Sequence, residues 1–158
     1  MKKYALTLTV ILLTGCASIA PSADIKPPHF ESRHSVSNFA FAIIQDGETI
    51  NSALITQSGG YTKSTDPASL ISGVLLKMGV TRLFKVPDGN KDKLLLVTWG
   101  ISGTRKIGML GAYSQEITIL MRKADNLDIV YKCTAEGIGS TEADDIREAV
   151  FSCLSGLT

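Results

Sequence analysis

Gln115–Arg122, QEITILMR, is followed by Ala124-Asp125-Asn126 and then by Asp128–Glu136, DIVYKCTAE. In the first run Ile117, Ile119 and Met121 recur at every second position, and in the second Ile129, Tyr131, Cys133 and Ala135 do the same. Side chains alternate across a strand, so each run carries one apolar face, and the polar triplet between them is turn chemistry. The two runs are therefore expected to form an antiparallel hairpin. The next segment changes period. Thr141 is an N-cap residue, and Glu142, Asp144 and Asp145 bring negative charge to the positive end of a helix dipole. Ile146, Ala149, Val150, Cys153, Leu154 and Leu157 then follow at helical spacing.

Working back along the chain, Asp66 and Pro67 are an N-cap and a first helical residue. Leu70, Ile71, Val74, Leu75 and Met78 form the stripe of a second amphipathic helix, stopped at Gly79. Lys93–Trp99 (KLLLVTW) has the composition of a central strand, and Val80–Val86 that of a shorter one ending at Pro87-Asp88-Gly89-Asn90. Ser37–Ile44 runs into Asp46-Gly47, a favoured hairpin turn, with Thr49–Thr56 as the returning strand before Gly59-Gly60. The simplest architecture is α+β: an antiparallel sheet with two helices packed on one face, formed by one globular domain over residues 36–158.

Cys133 and Cys153 both fall on core-facing sides of adjoining elements. A disulfide between them would close a loop of about twenty residues and contribute roughly 3 kcal/mol. The alternative is a pair of buried thiols packed as small hydrophobes.

The 100–111 segment is read as a glycine-rich loop, with Gly100, Gly103, Gly108 and Gly111 around Ser102, Thr104, Arg105 and Lys106. Hydroxyls, two cations and pliable backbone are ingredients of anion binding. A phosphate loop requires a helix to follow, and here a strand follows. These four residues are the candidate partner contact. The two histidines, His29 and His34, lie outside the domain core as solvated linker residues, so the commonest general base and the commonest metal ligand are missing from it. No metal site, cofactor or catalytic set is expected. A serine–lysine hydrolase would have to draw on Ser102 or Thr104 with Lys106.

The N-terminus supplies an address. Lys2 and Lys3 precede a short apolar run, Ala5–Leu13, and Leu13-Thr14-Gly15-Cys16 follows. The layout is that of a signal peptide, too short to span a bilayer. Those four residues resemble the lipobox of bacterial lipoproteins. The resemblance implies a signal peptide over 1–15, cleavage before Cys16, and acylation of Cys16 as the link to the lipid bilayer, with more than one chain as stable anchoring requires. Residues 16–35, with Pro21, Pro27 and Pro28, are read as the lipidated Cys and a flexible tether. Ala17 after the cysteine, by analogy with Gram-negative lipoproteins, implies the periplasmic side of the outer membrane. Loss of Lys2 and Lys3 takes the formal charge from +1 to −1, which argues against nucleic acid as a partner.

From the first helix onward the chain also resembles a family of small bacterial envelope lipoproteins that share a domain of unknown function. Glu116-Ile117-Thr118-Ile119-Leu120, Asp128-Ile129-Val130-Tyr131-Lys132, Ala135-Glu136-Gly137 and Asp145–Val150 carry the likeness. It implies the strand–turn–strand–helix ending, and the family has no established activity or active site to carry over. The expectation is a non-enzymatic accessory or protein-binding module of the cell envelope. An inhibitor or immunity-type lipoprotein and an envelope hydrolase are its rivals.

Overall fold

A computed structural model describes residues 25–57, 59–107 and 112–157. Its strands in chain order are β1 His29–Arg33, β2 Phe41–Ile44, β3 Ile50–Thr56, β4 Gly59–Thr65, β5 Thr81–Leu83, β6 Leu94–Ile107, β7 Ala112–Lys123 and β8 Ile129–Gly137. Helix α1, Pro67–Lys77, lies between β4 and β5, and helix α2, Glu142–Leu154, follows β8. Both helices begin as their sequences predict. The Asp66 side chain accepts from the Ala68 N–H, Pro67 opens α1, and Thr141 accepts from the Asp144 N–H.

Six strands form one sheet in the order β1-β8-β7-β6-β2-β5, and β3 and β4 form a separate two-stranded ribbon. The class is α+β, dominated by strand, but the sheet is mixed and not antiparallel. β1, β8, β7 and β6 are antiparallel neighbours, whereas β2 runs parallel to both β6 and β5. The cause lies at Asp46-Gly47, which does not make the expected hairpin. Gly47 sits against the Trp99 ring, where a Cβ would fall 2.2 Å from Cζ2, and Trp99 Nε1 donates to the Gln45 carbonyl at 3.0 Å. Asp46 is taken by Arg82. The chain is thus led away from β2; β3 pairs with β4 instead, and α1 carries the crossover to β5. Parallel neighbours need such a long connection.

The N-terminal segment differs from expectation too. His29–Arg33, placed in the tether by the neighbouring prolines and a lack of period, pairs with β8, while Val36 and Phe39, inside the expected domain, are buried in its core. Five residues at a sheet edge need no alternation of their own when the partner strand supplies the ladder. The predicted hairpin of β7 and β8 is present with Ile117, Ile119, Met121, Tyr131, Cys133 and Ala135 all buried. A register shift after Met121 turns Ile129 out to solvent and puts Val130 inside.

The helices and the inward sheet residues share one core, in which Ile71 and Leu75 of α1 meet Ile146, Ala149, Val150 and Leu154 of α2. The disulfide joins Cys133 of β8 to Cys153 of α2, with Cα atoms 5.6 Å apart. The Tyr131 hydroxyl donates to the Cys153 carbonyl. Nearer the start of α2 the contact is backbone on backbone: a Cβ on Gly137 would lie 1.9 Å from the Asp145 carbonyl oxygen and 2.4 Å from the Ala149 nitrogen. No described helix is long and apolar enough to cross a membrane. Gly137→Ala is expected to push α2 off β8 and lower stability by about 1–3 kcal/mol, read as a fall in the urea midpoint; an unchanged midpoint would mean the helix can shift freely.

Candidate functional site

The segment taken for a glycine-rich loop is a strand. Gly100–Ile107 continues β6 in register with β7, with one bulge between Ile101 and Gly103; residues 108–111 lie outside the described residues. Glycine and serine lowered the strand signal there, but the partner β7 is strongly strand-forming and the ladder carries β6 along. Strand geometry then separates the four candidate residues between the two faces of the sheet.

Ser102, at the bulge, donates to Glu116 Oε1 at 2.7 Å and accepts from Thr118 Oγ1 at 3.2 Å, and Thr118 reaches Thr134 at 2.8 Å. These residues form a hydroxyl row across the face that no helix among the described residues covers. Arg105 is on that face as well. Its Nε and Nη2 donate to Glu136 Oε1 and Oε2 at 3.0 and 2.6 Å, a two-pronged grip on a carboxylate whose side chain is 3% exposed. The backbone N–H of Lys26 adds a third bond to Glu136 at 3.3 Å, and Lys26 Nζ stands 3.8 Å away. The Arg105 bond, opposed by burial and helped by the Lys26 N–H, holds the Glu136 carboxyl below the usual carboxylate range. Arg105 is therefore part of a structural ion pair that ties the incoming chain to the sheet.

Thr104 points to the helix side, where it donates to Gln115 Oε1 at 2.8 Å. Lys106, opposite Tyr113 in the ladder, shares that side by alternation and is exposed. Ser102 and Lys106 thus stand on opposite faces. Thr104, Tyr113 and Gln115 line a cavity of about 480 Å³ with Ser140, Thr141 and Asp145 at the start of α2.

Asp145 was legible in the sequence only as a helix-start charge. In the fold it is 7% exposed and accepts from the Gly139 N–H. Burial, reinforced by the negative charge of Asp144 and Glu142, raises its pKa from 3.8 to about 6 against the pull of that N–H. Its neighbour Asp144 behaves oppositely. Lys63 Nζ at 2.7 Å, then Ser140 and Thr141, bring Asp144 down to about 2.

At the other end of the sheet a recess of about 780 Å³ is lined by His34, Asp92, Lys93, Lys123, Asp125 and Asp128. His29 is exposed on β1 and does not line this recess. Among the described residues no His, Cys, Asp and Glu side chains converge in a metal-holding group. Cys16 lies outside the described residues. The chemistry on offer is polar recognition: hydroxyls, an amide, an aromatic ring and a carboxyl that changes charge just below neutrality.

Both carboxyls make measurable predictions. Below pH ~4 Asp145 is protonated in folded and unfolded chain alike; between ordinary carboxylate pKa and about 6 only the folded chain keeps the proton, so stability falls as pH rises through that window. Asp145→Asn, which preserves an acceptor for Gly139, should abolish this slope and raise stability at pH 7 by about 1–2 kcal/mol, seen in urea titrations at pH 4, 5.5 and 7. Glu136 has the reverse sign: its contribution is present above the ordinary carboxylate pKa and is lost as pH falls through the depressed folded value. Arg105→Ala should cost about 1–3 kcal/mol at pH 7, partly restored by Glu136→Gln in the same chain; a silent Arg105→Ala would show the pair to be replaceable by solvent.

No family model and no curated protein matches the chain. Among solved structures it is similar to PelC from Paraburkholderia phytofirmans, crystallised as a dodecamer. With a single-substitution PelC variant in space group C2 the TM-score is 0.54 at 14% identity, covering 84% of this chain and 98% of that one. With PelC in space group P6 it is 0.51 at 14% identity, covering 82% of this chain and 95% of that one. The likeness is one of fold.

Proposed function

We propose that the chain is an outer-membrane lipoprotein facing the periplasm, held to the bilayer by acylated Cys16, and that it serves there as a non-enzymatic accessory or protein-binding module. Leu13-Thr14-Gly15-Cys16 is the observation that carries this reading. The Cys133–Cys153 disulfide supports it, since such bonds persist in oxidising compartments. The separation of Ser102 from Lys106 supports a binding role over a hydrolase. Partner contact is assigned to the exposed end of β6 and β7 around Thr104, Lys106 and Tyr113, and to the sheet edges at β1 and β5, which can add a strand from another chain. The dodecameric state of the PelC structures favours other copies of this chain among those partners.

Cys16→Ala tests the anchor. The native protein should float with the membrane fraction and carry acyl mass at residue 16. The variant should appear in the soluble fraction; its persistence in the membrane would overturn the reading.

A further inference from the structure

The β3–β4 ribbon is the part of the molecule least accounted for by the core. Its base is firmly mounted on the first turn of α2. The Ala143 N–H donates to Ser52 Oγ at 2.9 Å, Thr65 Oγ1 donates to the Ala143 carbonyl at 2.9 Å, and Lys63 pairs with Asp144 at 2.7 Å. Beyond that mount the ribbon is on its own. Ala53, Ile55, Thr56 and Gly59–Thr62 are exposed, and the shallow hollow at its outer part is lined by ribbon residues alone. Ile55 is 88% exposed and Tyr61 is 42% exposed, with Leu54 directly across from Tyr61. A pair of strands would not hold such a projection in water without a mount, and Ile55 and Tyr61 exposed just behind its Thr56-Gln57 turn need an explanation in terms of what they meet.

We infer that this tip docks on the lipid bilayer that holds Cys16, with Ile55 and Tyr61 seated at the headgroup boundary. The inference rests on the anchor reading and goes beyond it. Charge is the first support: over residues 50–65 Lys63 is the sole ionisable side chain apart from Tyr61, and no carboxylate is present to be repelled by anionic lipid. Residue type is the second: Ile55, opposite Gly60, and Tyr61, opposite Leu54, stand on the two faces of the ribbon, so an end-on approach brings an aliphatic and a tyrosine to the polar boundary together.

Position is the third. Lys26, near the start of the described chain, is bound to Glu136, and the next residue, Gly137, lies against Asp145 of α2. The incoming chain and the ribbon mount therefore share one end of the sheet. Cys16 precedes Lys26 by a segment that can span at most ~36 Å, so on the anchor reading the bilayer is never far from this end. Two side chains add little to the hold of several acyl chains. Their effect is on orientation: they turn this end of the domain to the membrane.

The test uses the full chain acylated at Cys16, in vesicles of phosphatidylethanolamine and phosphatidylglycerol, with tryptophan placed by Ile55→Trp and, as a second probe on the other strand, Tyr61→Trp. The emission of Trp99 is subtracted with the native chain. Flotation reports the anchor and tryptophan emission reports the tip. The expected result is flotation together with a blue shift of the added emission, its loss with lipid brominated near the headgroup, and protection from acrylamide. Flotation with both probes still open to acrylamide overturns the docking and leaves the anchor standing. A chain that does not float overturns the anchor, and the docking with it. Probes shielded without vesicles, with the shielding rising with protein concentration, would assign the tip to a second copy and overturn the lipid assignment.

Discussion

The contact between β8 and α2 is the constraint on which the rest of the molecule hangs. Three different devices hold it along its length. Near the end of β8 the absence of a side chain at Gly137 lets the Asp145 and Ala149 backbone approach the strand directly. Further back, Cys133 and Cys153 join the two covalently, and the Tyr131 hydroxyl bonds the carbonyl of that same Cys153. Burial pushes the Tyr131 hydroxyl up to about 12, so this donor keeps its proton throughout the physiological range. With α2 fixed, its inner face supplies the wall against which α1 packs, and its first turn supplies the mount for the β3–β4 ribbon.

The two faces of the sheet solve different problems. The helix face buries apolar side chains, a gain of roughly 25 cal/mol for each Å² removed from water. The other face has no helix over it among the described residues and is built from mutually satisfied polar groups: Glu116, Ser102, Thr118 and Thr134 in a row. Glu136 is the exception, a carboxylate almost wholly withdrawn from water. A buried ion without partners would be costly, and its cost is offset by the Arg105 fork and the Lys26 backbone. The same bonds fix the path of the chain as it enters the domain.

Local periodicity made much of this legible. Both helices, their caps, the β7–β8 hairpin and the facing cysteines could be read because each depends on residues near one another in sequence. What could not be read depends on distant partners. Asp46-Gly47 has the composition of a hairpin turn, yet Trp99 and Arg82, some fifty and thirty-six residues on, claim its backbone and its carboxylate. β1 has no period because β8 dictates its pairing. The extension of β6 through Gly100 and Gly103 is likewise imposed by β7. Asp145 shows the same limit in chemistry: a helix-start acid and a buried carboxyl titrating near 6 have identical sequence signatures, and only the packing of Gly139 and β8 against the helix separates them.

The strands run from one kind of surface to another. At the end where β7 turns into β8, the recess carries His34, Asp92, Lys93, Lys123, Asp125 and Asp128, a dense set of hydrated charges. At the opposite end lie the Lys26 entry, the Tyr113 side of β7 and the ribbon, whose tip carries exposed Ile55 and no charge. The contrast is between the recess and the ribbon tip, since the ribbon's end of the sheet also carries exposed Lys106 and Glu142 and the Lys63–Asp144 pair. It has a use if one end is held near lipid, because removing the charged end from water would be far more costly than removing the ribbon tip. A fold shared at 14% identity with PelC does not specify this, since a fold preserves strand order and core while surface chemistry varies. The polarity belongs to this sequence: a chain that enters beside Glu136, and a ribbon mounted at that same end whose outer part exposes Ile55.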